Sequence, residues 1–304
     1  MADHTRRSIF TIGLCISTAV LALPGWPAQG TIVQGNAIQF DQTTWDRNLA
    51  QPNATGNFSI TGFDLSQGFP SEQIHGWQLS VNVTGNIPDS ETLNNKSASG
   101  KVFTGTSLFL SAPQSVVSAM SSSDARDAGE TTWKICVTVM TDGPEEDASA
   151  ADNGTCSSLS AQCIEDIQSV YADAFAHDQD CYRLPATPSS CGNSLKQANL
   201  TTQQYPIDHL NGTEIYVTAS DAHEPSDNTA FDSATRKIWP VLVVWGWNNR
   251  ANASDGTKPT VQLTCARADS IEPGSSSTSQ SSASRLQGSV IIASVAAGLV
   301  AMFA

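Results

Sequence analysis

Trp77-Gln78-Leu79-Ser80-Val81-Asn82-Val83-Thr84 decides the fold class. Trp77, Leu79, Val81 and Val83 share one face of an extended chain, and Gln78, Ser80, Asn82 and Thr84 share the other. Period two is the signature of a half-buried strand. Trp133-Lys134-Ile135-Cys136-Val137-Thr138-Val139-Met140 repeats the pattern, with Trp133, Ile135, Val137 and Val139 inward. Cys136 then points away from that core, alongside Lys134 and Thr138, and is placed to tether something on the outside of the sheet. Trp239-Pro240-Val241-Leu242-Val243-Val244-Trp245 is apolar on both faces, as in a central strand covered on both sides, with Pro240 near its start.

Further strands are expected at Phe58–Thr61, Val102–Leu110 and Glu214–Thr218, through Ile238–Trp247, and at Val261–Cys265, with turn-rich loops at Asp142-Gly143-Pro144 and Glu224 to Asn228. One helix is expected from Cys163 to Phe175, where Ile164, Ile167, Tyr171, Ala174 and Phe175 recur at helical spacing behind a Ser160 N-cap. The sum is an all-β chain: a β-sandwich of about seven to nine strands with a disulfide-stapled helical insertion at about 144–205.

Seven cysteines occur. Cys15 lies in an apolar N-terminal run, which leaves Cys136, Cys156, Cys163, Cys181, Cys191 and Cys265. An even set in a secreted chain reads as three disulfides, and spacing alone leaves all fifteen pairings open. Four of the six crowd between residues 156 and 191, a stretch too polar to hold itself by burial. Without Cys-x-x-Cys, zinc and thioredoxin-like readings are weak. Eight Asn-x-Ser/Thr sequons, at Asn53, Asn57, Asn82, Asn95, Asn153, Asn199, Asn211 and Asn252, mark glycosylated surface.

The ends carry processing patterns. Arg6 and Arg7 precede the apolar run Ile9–Leu23, and Val20-Leu21-Ala22 offers small-residue cleavage. Residues 1–22, or to about 28, read as a signal peptide, and the run falls short of the ~20 residues a spanning helix needs. Residues 29–272 read as one domain. A Ser-rich segment at 273–287 and a wholly uncharged, apolar stretch at 288–304 follow. Small residues, polar spacer and apolar tail form a glycosylphosphatidylinositol (GPI) attachment signal, with Gly274 or Ser275 as the attachment residue. No Lys or Arg follows the tail, as a stop-transfer helix would require.

The formal net charge is −14. Trimming both processed ends removes Asp3, Arg6, Arg7 and Arg285 and makes it more negative. Such a surface repels nucleic acid and anionic headgroups. The layout resembles the secreted or GPI-anchored surface proteins of unassigned function in filamentous ascomycete fungi: signal peptide, strands, Trp133 to Val139, a cysteine-bearing helix, then Val261-Gln262-Leu263-Thr264-Cys265 before a serine-rich tail. The resemblance implies a cell-surface location and brings no catalytic residues.

Chemical motifs are sparse. Gly-x-Ser-x-Gly, phosphate-binding glycine loops and His-Glu-x-x-His are absent, and no cofactor or metal is called for. A copper monooxygenase would need a histidine at the mature N-terminus, and none of the plausible cleavage sites leaves one. His75, His177, His209 and His223 are scattered, and Asp221 to Glu224 and His177 to Asp180 read as solvated loops. Glu130 and Glu214 are carboxylates able to face a sheet groove as a glycosidase pair would, or equally to stand as ordinary outward residues. Trp239, Trp245 and Trp247 share parity, and Trp247, between Gly246 and Asn248, is the candidate exposed ring for glycan stacking. With all three packed inside, the glycan-binding version fails. The expectation is a GPI-anchored cell-surface or cell-wall glycoprotein without catalysis, held to the membrane by its lipid. The alternative is a glycan-binding or carbohydrate-active sandwich meeting cell-wall glycans.

Overall fold

A computed structural model describes residues 31–94, 99–145, 154–181, 187–192, 195, 200–251, 253–254 and 256–272. The expected leader, the GPI region with Gly274 and Ser275, and sequons Asn95, Asn153, Asn199 and Asn252 lie outside them. No helix among the described residues is long and apolar enough to cross a membrane.

The strands form two sheets. The first holds β1 (Ile32–Gly35), β2 (Ala54–Phe63), β3 (Gln73–Pro88), β4 (Val102–Ser111), β7 (Thr213–Ala219) and β10 (Ser270–Ile271), in the order β1-β7-β4-β3-β2-β10. The second holds β5 (Trp133–Met140), β6 (Leu200–Gln204), β8 (Trp239–Trp247) and β9 (Thr260–Ala266), in the order β6-β5-β8-β9. Pairing is antiparallel except between β1 and β7. The alternating residues do what their period demands. Trp77, Leu79, Val81 and Val83 are all fully buried, in one hydrophobic cluster with Trp133, Ile135, Val137 and Val139 of β5 and with Val241, Val243 and Trp245 of β8. Both sheets therefore contribute to a single apolar interior.

The opposite face of the second sheet is also covered. Cys136, Met140, Leu242 and Val244 join Ile167, Tyr171 and Phe175 of helix α4 (Ala161–Asp178) in a second cluster. This is why β8 is apolar throughout: all nine of its residues are buried. The Ser160 hydroxyl caps α4 by accepting from the Cys163 amide at 3.1 Å. At the other end Lys134 Nζ donates to the Gln179 carbonyl at 2.8 Å, a cation at a helix C-terminus.

Three disulfides, Cys136–Cys181, Cys156–Cys265 and Cys163–Cys191, fasten this layer. Cys136 does tether material lying outside the sheet, since its partner Cys181 closes the end of α4. The close fit appears at Gly246, where an added Cβ would stand 2.2 Å from the Phe175 ring.

Helix content exceeds the all-β expectation. Besides α4 there are α1 (Gln42–Leu49), α2 (Gln114–Ala119), α3 (Ser123–Thr132) and α5 (Thr229–Arg236). Each has at most ten residues and buries at most two side chains, too little to leave a helical period in the sequence. The segment expected as an insertion also ends in a sheet strand, because β6 pairs with β5 from Leu200↔Met140 to Gln204↔Cys136.

α1 covers the outer face of the first sheet. Asp41 caps it by accepting from the Thr44 amide at 3.0 Å. Trp45 and Leu49 then join Phe40, Ile87, Phe103 and Val217 in a third cluster.

Candidate functional site

The expected glycan platform is not there. Trp247 is 5 % exposed and packs between Phe69 and Phe175, with ring centroids 5.4 and 5.5 Å away. Trp239 and Trp245 are buried as well. Strand parity could not show that α4 lays Phe175 against the end of β8. The stacking role assigned to Trp247 is therefore withdrawn.

Glu130 and Glu214 do not share a cleft. Glu130 is exposed on α3, at the rim of a groove of about 670 Å³ that also includes Gln203, Tyr205 and Asp208. Glu214 is absent from that lining. A β-bulge follows it: Leu108 pairs with Tyr216 but Phe109 with Glu214, so Ile215 is the extra residue. Ile215 and Tyr216 both enter the central cluster, and Val217 enters the cluster under α1. Glu214 thus shares a face with Val217, where uninterrupted alternation would have opposed them.

There Glu214 meets a polar niche roofed by α1, in which Trp45 Nε1 donates to Ser107 Oγ at 3.1 Å. Burial pushes the Glu214 carboxyl up to about 7; the Asp46 charge adds to this, and hydrogen bonds to Ser107, Trp45 and Gln42 oppose it.

The His/Asp segments stay separate. Asp221 accepts from Asn36 Nδ2 at 2.8 Å, and the two ring nitrogens of His223 face the Glu224 carbonyl and the Thr104 hydroxyl. His177 pairs with its neighbour Asp178 at 2.8 Å. Among the described residues no three His, Cys, Asp or Glu side chains gather as a metal would need.

Of the described sequons, Asn57 and Asn211 are exposed and Asn53 and Asn82 partly buried. Asn53 Oδ1 accepts from the Gly85 amide at 2.8 Å, while the Asn53 backbone bonds β3 and the β10 end.

A second groove, of about 440 Å³, opens where the ends of the two sheets meet α5. Its walls come from β1, β4 and β7 on one side, and from Thr141, Asp142, Lys237 and Trp239 on the other. Tyr216 and Trp239 touch at 5.1 Å between ring centroids, and Tyr216 donates its hydroxyl hydrogen to Gln34 Oε1 at 2.7 Å. Lys237 Nζ lies 4.6 Å from the centre of the Trp239 ring. Burial holds the Lys237 amine below its ordinary value, against the pull of Asp142 and Glu145. Trp239 Nε1 is buried with no hydrogen-bond partner among the described residues. None of the four described sequon asparagines is among the residues lining this groove. Sequence reasoning missed it because its residues come from separate elements with no common spacing.

Comparison with protein-family models, curated proteins and solved structures finds no match.

Proposed function

We propose that the chain is an extracellular, N-glycosylated surface protein, carried on a GPI lipid and acting without catalysis. Its ectodomain is read as a β-sandwich bearing a disulfide-stapled helical insertion. One observation carries the reading: all six cysteines outside the leader pair with one another in three disulfides. Such bonds persist where the compartment is oxidising. The described sequons support it, since none is buried. The Ser-rich segment followed by an uncharged apolar stretch supports the lipid anchor. The layout shared with ascomycete surface proteins points the same way.

The test is expression in a eukaryotic secretory host. Phosphatidylinositol-specific phospholipase C should release the protein from intact cells, and N-glycosidase should lower its apparent mass. Mature protein still containing the peptide through Ala304, or folded protein with six free thiols, would overturn the proposal.

A further inference from the structure

We propose that the groove where the two sheet ends meet α5 binds a neutral, polyhydroxylated ligand: a sugar residue or a polyol. This goes beyond the surface-glycoprotein reading and does not depend on it. It also differs from ring stacking on an exposed tryptophan, which the buried Trp247 rules out.

The size is right, since about 440 Å³ falls within the ~300–1,000 Å³ of small-ligand sites. The wall chemistry selects the class. Thr106, Thr218 and the Tyr216 hydroxyl lie along one side, with Gln34 fixed by the Tyr216 hydrogen bond. Hydroxyls both donate and accept, so they match a ligand made of hydroxyls. The buried Trp239 indole N–H has no partner among the described residues, and a buried donor left unpaired is costly. A ligand oxygen reaching it would remove that cost.

Charge argues for neutrality. Lys237, the one cation among the described lining residues, is already faced by the carboxylates of Asp142 and Glu145. An anionic ligand would meet Asp142 and the strongly acidic chain, whose net charge is −14. Lys237 Nζ also covers the Trp239 ring. None of the four described sequons places a glycan on the described lining.

The test uses the secreted, glycosylated protein on an immobilised panel. The panel holds neutral hexose oligomers, N-acetylhexosamine oligomers, and uronate-bearing and sulfated oligomers, with free polyols as competitors. Saturable binding to a neutral member is expected. Ala230→Tyr, which fills the groove from α5, should weaken it at least tenfold with the melting temperature unchanged. Should that variant fail to fold, Lys237→Met decides: neutral-ligand binding should persist, because a neutral ligand carries no charge for Lys237 to pair. No neutral binder, binding confined to anionic oligomers and lost in Lys237→Met, or binding indifferent to a folded Ala230→Tyr would each overturn the proposal.

Discussion

Glu214→Gln should abolish a pH dependence of stability that the wild-type chain shows between about pH 4.5 and 7. The carboxyl sits beneath α1 on the bulged strand β7, and burial raises it from the ordinary 4.5 to about 7. The folded state therefore binds this proton more tightly than the unfolded chain does. A raised carboxyl value means that its contribution to stability is full below about pH 4.5. It declines as pH rises, and is gone once pH passes about 7. At ~1.4 kcal/mol per pH unit the loss is at most about 3 kcal/mol, and partial exposure of Glu214 lowers it. For a domain of this size that is roughly 6–10 °C in melting temperature. Glutamine keeps the shape and hydrogen-bonding capacity of the protonated acid but cannot ionise. Thermal unfolding of both proteins at pH 4.5, 6 and 8, followed by circular dichroism, isolates this group because the other titrations cancel in the difference. The two should melt together at pH 4.5, and the variant should melt higher at pH 8. A difference that stays flat across the three pH values would refute the claim that Glu214 is desolvated under α1.

Gly246→Ala should destabilise by about 1–3 kcal/mol in denaturant unfolding, because the new methyl meets the Phe175 ring at 2.2 Å. Replacing Cys156 and Cys265 together by Ala opens a loop of 109 residues, and should cost about 4–5 kcal/mol in the same assay. Trp247→Ala should behave as a core truncation costing about 3–5 kcal/mol, not as a surface change. Peptide mapping after N-glycosidase should find glycans at the exposed Asn57 and Asn211.

What could be read from the sequence is what burial imposes on contiguous residues. Trp77 to Val83 and Trp133 to Val139 alternate because each strand has one face in the common interior. β8 does not alternate because α4 covers its second face. The Cys136 parity argument worked for the same reason: a cysteine on the non-core side of a strand needs a partner beyond the sheet, and Cys181 is there. Two failures share an opposite cause. Glu214 does lie opposite Ile215, but Tyr216 and Val217 change faces because of one extra residue, Ile215, which no composition signal marks and which reverses every side chain beyond it. Trp247 was misplaced because exposure at a strand end depends on what another segment lays over it, here Phe69 and Phe175.

The sheet-end groove lies at the limit of this kind of reading. Gln34, Asp142, Tyr216 and Trp239 are brought together by a parallel β1–β7 pairing, a turn after β5 and the α5–β8 junction. Each residue on its own has an ordinary structural role: Tyr216 and Trp239 belong to the interior, and Lys237 shields a ring. What distinguishes the place is a combination that no single position displays. Among the described residues it has an indole N–H without a partner, walls rich in hydroxyls, offset charges and no sequon asparagine. A buried polar donor costs stability for as long as nothing meets it. A ligand that binds only the folded state and supplies the missing acceptor would recover that stability by mass action. The groove's own ligand should therefore raise the melting temperature of the wild-type chain and leave that of Ala230→Tyr unmoved.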